Sequence, residues 1–378
     1  MKLLLGLLTF LLALGQLQRI AFPWGAQYAH ELILIFLLFN KRQIYIRTLL
    51  KTWKKTTLYT KLLIALVIGG VLLNWIASGE SRALLLSFRA FLYASTAWAI
   101  YLSLTNRQKQ QLRLFLLASG IAMAATGILQ YIFLPDVRFL QVLGWDDHYY
   151  RAIGSMLDPN YLGILLLLTL ANLWTWTKKV PAKLVFVLTA MLSATIAATL
   201  SRATYLATAV FFATQFLTYK KLVVLATISL ALTLVLLPKP TGEGVNLMRT
   251  SSITSRIAND QAILQSEQAN PMRILFGNGL FTTTRLISTA DKSRDHGLQA
   301  NNIFVFLYQS LGVVGSILLL PLLVRGIKII YQKEPAIAFA LVGIFVHAQF
   351  NNSFFEPIVF SYWVFTVATL KKPRAETK

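Results

Sequence analysis

Three arginines stand at the ends of apolar blocks, in Arg151-Ala-Ile-Gly-Ser-Met-Leu-Asp-Pro-Asn160, Ser201-Arg202 and Ser255-Arg256. A guanidinium is costly beside hydrocarbon, and its planar fork of donors matches a phosphate. For any single arginine the simplest reading is an interfacial anchor that snorkels to lipid headgroups. Three of them, where positive charge is otherwise scarce, point instead to an anion site. Helices starting at Asn160 and Ala203 would turn free N–H groups and partial positive charge toward the same anion.

The histidines are few: His30, His148, His296 and His347. His30 lies inside an apolar block and reads as structural. His148 sits in an aromatic loop, where a surface role is expected. His347 is followed by Gln349, Asn351, Asn352 and Glu356, a pattern suited to lining a polar cavity. His296, just ahead of an apolar block, is the best placed to act as a base. No pair of histidines has metal-ligand spacing, and the acidic pair Asp146-Asp147 shows no third ligand, so no metal is expected. With no cysteine in the chain, thiolate chemistry, disulfides and iron–sulfur clusters are excluded. Trp145, Tyr149 and Tyr150 fit either an interfacial belt or stacking on sugar rings. What such a set can do is transfer a sugar from a lipid diphosphate. That reaction needs charge stabilisation on a good leaving group and one base for the attacking hydroxyl. Arginines can take the metal's part, and no cofactor is implied.

The elements that position these residues are membrane spans. Of the 378 residues 56% are hydrophobic and 13% charged, and the mean hydropathy is +0.61, values foreign to a soluble domain. Apolar blocks predict about twelve spans, near 3–18, 25–39, 62–77, 83–104, 112–134, 160–176, 184–200, 203–218, 222–237, 301–324, 336–351 and 356–370. The fold class expected is therefore an all-α integral membrane protein, a single polytopic domain over 1–378. The first block lacks a small-x-small cleavage site and is kept as a span. A basic loop is expected over 40–61. Two loops on the opposite side stand out: 135–159, and 238–300 between spans nine and ten, with a helix over Ser255–Gln268. Loops of that length in a compact architecture tend to carry function.

The net charge of +22 is a topology signal. With the N-terminus in the cytoplasm, cytoplasmic segments hold 23 bases and two acids, while the other side holds 12 bases and 11 acids. This is the positive-inside pattern repeated in every loop, and it puts both termini in the cytoplasm. Anionic membrane lipids are implied as partners and nucleic acid is not.

Four stretches together resemble the O-antigen ligase and O-antigen polymerase superfamily. They are Arg151-Ala-Ile-Gly154 with Pro159-Asn160; Ser201-Arg202; Arg256 with Pro271 and Leu275-Phe-Gly-Asn-Gly-Leu-Phe281; and Asn302-Ile-Phe-Val-Phe-Leu-Tyr-Gln-Ser-Leu-Gly312-Val-Val-Gly315. The resemblance implies a GT-C-like architecture with a large extracytoplasmic loop. It also implies a glycosyltransferase at the outer face of the bacterial cytoplasmic membrane, acting on undecaprenyl-diphosphate-linked oligosaccharide. Arg202 and Arg256 would hold the diphosphate, with Arg151, Asn160, Asn302 and His347 in support. A flippase and a chain-length regulator of the same pathway would be partners. One departure matters: the family's catalytic histidine is Asn301 here, and an amide cannot serve as a base. Either His296 reaches the same place, or Asn301 orients the acceptor while another group takes the proton. The missing histidine and the divergent loop favour a polymerase of polysaccharide repeat units over a ligase that moves the finished glycan to a lipid A core. A transporter of lipid-linked sugars is the alternative of another class.

Overall fold

A near-unbroken apolar stretch makes the centre of the molecule. Helix α7 (Pro159–Trp174) is apolar all round, and Ile164 to Leu168, Leu170 and Leu173 have no exposed surface. A helix of this kind is stable only when enclosed by others. The computed structural model describes residues 2–371 except 23–24, 41, 79–80, 239, 241–244, 249, 269 and 283–299. In it α7 packs against α6 (Asn106–Phe133), α8 (Ala182–Ala198), α9 (Arg202–Leu236), α13 (Pro335–His347) and α14 (Pro357–Ala368). Outside this ring, α1 (Lys2–Ala13) lies on α6, α2 (Ala29–Asn40) on α5 (Ser81–Ser103), and α4 (Leu58–Ser78) on α12 (Ile303–Lys333).

The architecture is that of an all-α membrane protein. Five described helices, α4, α5, α6, α9 and α12, are long and apolar enough to cross a membrane, and α1, α2, α7, α8, α13 and α14 are shorter apolar helices. Two of the long helices are broken. As a straight rod of 35 residues α9 would run about 52 Å, far beyond a hydrocarbon core of about 30 Å. Its backbone leaves helical geometry at Tyr219 (φ −127°, ψ 38°), between the two apolar blocks read as separate spans. Helix α12 is broken at Gly312 (φ 62°, ψ −169°), inside what the sequence suggests is one span.

Two further differences from the sequence reading concern the N-terminal third. The second apolar block does not begin as a helix: β1 (Arg19–Phe22) and β2 (Gly25–Tyr28) pair antiparallel before α2 starts. Buried Arg89 donates to the carboxylate of Glu31 and to the Ala26 carbonyl, which ties this hairpin to α5. The basic segment expected as a loop is helix α3 (Arg42–Lys55), with Ile46, Leu49, Leu50 and Trp53 exposed among Arg47, Lys51, Lys54 and Lys55. An amphipathic basic helix of this type lies flat at a membrane surface.

Helix ends that alternate along the sequence meet in two groups. At one end of the bundle Arg113 donates to Asn172 Oδ1 (2.8 Å), Thr175 Oγ1 (2.7 Å) and Glu334 Oε1 (3.0 Å), and Lys109 Nζ donates to the Leu370 carbonyl (3.1 Å). At the other end Ser155 Oγ donates to the Ala13 carbonyl (2.8 Å), Gln16 Nε2 to Glu356 Oε1 (2.7 Å), and the Ile303 N–H to the Ala348 carbonyl (2.9 Å). The second end carries the three arginines.

Candidate functional site

The start of α7 is the floor of the site. Pro159 occupies the first helical position, where its missing N–H costs nothing, and Asp158 is the N-cap. Asp158 Oδ1 accepts from the N–H groups of Asn160 (2.7 Å) and Tyr161 (3.0 Å). The neighbouring α9 starts in the same way: Ser201 is its N-cap, accepting from Thr204 N–H, and its Oγ donates to Asn160 Oδ1 at 2.8 Å. Asn160 therefore couples two helix starts, a structural duty that orients the residue after Ser201, which is Arg202.

The three arginines do not play one role. Arg151 is buried, and its guanidinium donates to the carbonyls of Thr199 (3.0 Å) and Leu200 (3.4 Å), the orphan acceptors at the C-terminal end of α8. Arg202 is half-buried and donates from one nitrogen to the Leu247 carbonyl (3.3 Å), at the entry to helix α10 (Ser251–Gln268). Arg256, on α10, is half-buried and makes no hydrogen bond or contact ion pair among the described residues. Burial lowers the proton affinity of Arg256, nearby Arg202 lowers it further, and Asp158, Tyr161 and Asp146 act the other way. The sequence-distant Arg202 and Arg256 thus share one electrostatic neighbourhood at the mouth of α7. A guanidinium held this way gains most from an incoming anion, because its desolvation is already incurred.

The start of α12 packs against α10, the helix that carries Arg256. Asn302 is its N-cap, accepting from the N–H groups of Phe304 and Val305 and donating to the Gln349 carbonyl (3.2 Å) and side chain (3.2 Å). Asn301 presents its backbone N–H to Asp260 Oδ1 at 2.9 Å. Asp260 is one helical turn beyond Arg256 on α10, so both project from the same face. Burial raises its pKa from the ordinary aspartate range, while hydrogen bonds from the Asn301 and Asn302 backbones, and then Arg256, oppose the shift. The sequence reading did not select this carboxylate. The i, i+4 spacing to Arg256 was the available signal; its closeness to Asn301, 41 positions away, was not.

The glycines of the resembling stretches have a definite use. Short helix α11 (Pro271–Phe276) ends at Gly277 (φ 71°), which crosses α12 at its break. Asn278 and Gly279 donate their N–H groups to the carbonyls of Gln309 (2.8 Å) and Ser310 (3.0 Å). A β-carbon on Gly277 would lie 2.5 Å from the Leu311 nitrogen, and one on Gly312 would lie 2.4 Å from the Leu275 carbonyl carbon. The break in α12 exists to receive this crossing, and it locks the α10–α11 segment over the site.

Of the histidines, His30 is buried and engaged with Gln18, Tyr93 and Ser361, as a structural residue would be. His347 is fully buried behind the site; its Nδ1 lies 2.9 Å from Ser353 Oγ and its Nε2 has no hydrogen-bond partner among the described residues. The expectation for His148 is overturned, because the loop that carries it folds inward. An isolated bridge joins Asp136 to Tyr149, Val137 N–H donates to the His148 carbonyl (3.1 Å), and Tyr150 N–H to the Pro135 carbonyl (2.8 Å). This ladder buries His148 to 6% exposure with its Nε2 unpartnered among the described residues. The aromatics beside it pack on each other and on cations: Tyr149 meets Tyr150 edge to face at 4.7 Å, Arg138 lies over Tyr149, and Arg19 over Trp145. His296 lies outside the described residues.

No protein-family model matches this chain, and no curated protein or solved structure matches it. The site is therefore interpreted from its own chemistry.

Proposed function

We propose that the protein is a membrane glycosyltransferase that takes its donor as a lipid diphosphate and polymerises oligosaccharide repeat units of a surface polysaccharide. The observation that carries this reading is Arg256, half-buried and without a bonded partner among the described residues, within electrostatic reach of Arg202 and of Asp158 at the start of α7. Two guanidiniums can grip the diphosphate and take up the charge that develops as the glycosidic C–O bond breaks. Arg151 supports them indirectly by holding the α8–α9 turn that aims Arg202.

The acceptor hydroxyl needs a base, and Asp260 is the group proposed. It stands beside Asn301, where the resembling family has its histidine, and beside Arg256, which holds the leaving group. A carboxylate with a raised pKa is a stronger base than an ordinary one. His296 is the competing candidate. In this reading the fold is GT-C-like and crosses a bacterial cytoplasmic membrane twelve times, by α1, α2, α4 to α8, the two halves of α9, and α12 to α14. Both termini are cytoplasmic, the lipid is undecaprenyl, and α3 rests on the inner leaflet. Transfer of the finished glycan to a lipid A core, the ligase reaction, uses the same donor site and is the second reading. A transporter fits less well, since Arg89 and Glu31, the charged pair enclosed between α2 and α5, are buried and bonded to each other.

The deciding experiment is a gel of lipid-linked and cell-surface glycan from a strain lacking the gene. A single repeat unit with no ladder supports polymerisation. A full ladder retained on the carrier lipid supports ligation instead, and an unchanged pattern overturns both.

A further inference from the structure

We propose that Asp146, His148 and Asp158 form a divalent-cation site beside the start of α7. One ligand atom from each lies within 4.8 Å of the other two, so a single ion can reach all three. The residues come from separate elements. His148 and Asp146 belong to the inward-folded loop, held by the Asp136–Tyr149 bridge, and Asp158 belongs to the α7 cap.

Three independent features favour a ligand here over a chance cluster. His148 is buried, yet its Nε2 has no hydrogen-bond partner among the described residues, and a buried polar nitrogen left so costs about 1–3 kcal/mol unless something fills its place. Asp158 uses Oδ1 for both capping bonds, which leaves Oδ2 for coordination. Asp146 is exposed, so the cluster opens to solvent and an ion has a path in.

One imidazole and two carboxylates make a donor set for Zn2+ or Mn2+, with remaining positions taken by water. The ion would fasten the 145–150 loop to the start of α7. With Arg151 and Arg256 nearby it would leave the rim net positive, which suits an anionic substrate. The inference does not depend on the glycosyl-transfer reading, in which the arginines carry the chemical step.

The test is Mn2+ binding to the full-length protein in detergent, read by the loss of the free Mn2+ electron paramagnetic resonance signal, with Zn2+ by calorimetry as a second probe. The expected result is one saturable site, weakened at least about tenfold in His148→Ala and in Asp146→Asn. Asp146 is exposed, so its variant tests the site without threatening the fold. The proposal is overturned if the wild type binds neither ion saturably, or if both variants bind as it does. Polymer output, measured separately, reports on the glycosyl-transfer reading and leaves this result untouched.

Discussion

Asp260 accepts the backbone N–H of Asn301 at 2.9 Å, which joins the helix of the long loop to the start of α12. The bond sets a carboxylate beside Asn301 at the start of α12. In the proposed mechanism the base is supplied from α10, on the same helical face as the arginine that holds the leaving group.

Asp260→Asn keeps an acceptor oxygen for the Asn301 N–H but removes the base. Turnover is expected to fall by about 10²- to 10⁴-fold with the fold intact. His296→Ala should leave most activity. The reverse pattern, an active Asp260→Asn and an inactive His296→Ala, would transfer the role to His296.

The pH profile follows from the direction of the Asp260 shift. Its pKa is raised, so the active carboxylate is lost as pH falls through a value above the ordinary aspartate range, and the acid limb of the rate profile should lie there. The same shift has a sign for stability. The folded state favours the protonated form, so this group contributes stability that is present below its unfolded pKa and is lost as pH rises through the folded one. Rate measurements in wild type and Asp260→Asn check the limb, which should vanish in the variant.

Arg202→Lys and Arg256→Lys should be nearly as inactive as the alanine variants, because an ammonium cannot reproduce a two-pronged grip on a diphosphate. The loss expected is about 2–4 kcal/mol of transition-state stabilisation, roughly 30- to 900-fold in rate. Turnover of lipid-linked donor by purified variants measures it. Lysine variants with normal rates would refute the grip.

Arg151→Ala should behave differently. It strips the Thr199 and Leu200 carbonyls of a buried donor, which costs about 1–3 kcal/mol in stability. A lower melting temperature in detergent is therefore expected, whereas Arg256→Ala, with no bonded partner among the described residues to lose, should melt near the wild type. Equal melting of all three proteins would contradict the assignment of Arg151 to the α8 end.

Gly277→Ala and Gly312→Ala should each reduce folded yield sharply. Both positions have positive φ with extended ψ, a region essentially confined to glycine that costs other residues about 1–3 kcal/mol, and both would overlap backbone at 2.4–2.5 Å. Size-exclusion profiles of the purified variants check this. Gly326→Ala, inside the same helix with open space around it, is the neutral control.

By itself the sequence determined that the chain is built from apolar helices of the kind that cross a membrane. Hydrophobic length and the alternation of basic and neutral loops are local properties, and a span needs nothing beyond them to be recognised. Arg113 with Glu334, and Gln16 with Glu356, meet as that alternation requires. The arginines were conspicuous because a guanidinium beside hydrocarbon is expensive wherever it occurs. The tertiary structure alone decided how they are used. Arg151 caps α8 while Arg256 is left without a bonded partner among the described residues, a division set by which carbonyls happen to end nearby. It also turned a loop histidine inward, brought Asp146, His148 and Asp158 to one point, and set Asp260 against Asn301. These juxtapositions depend on how helices far apart in sequence pack and on how a loop closes over them, and no local periodicity encodes the distance between two such elements.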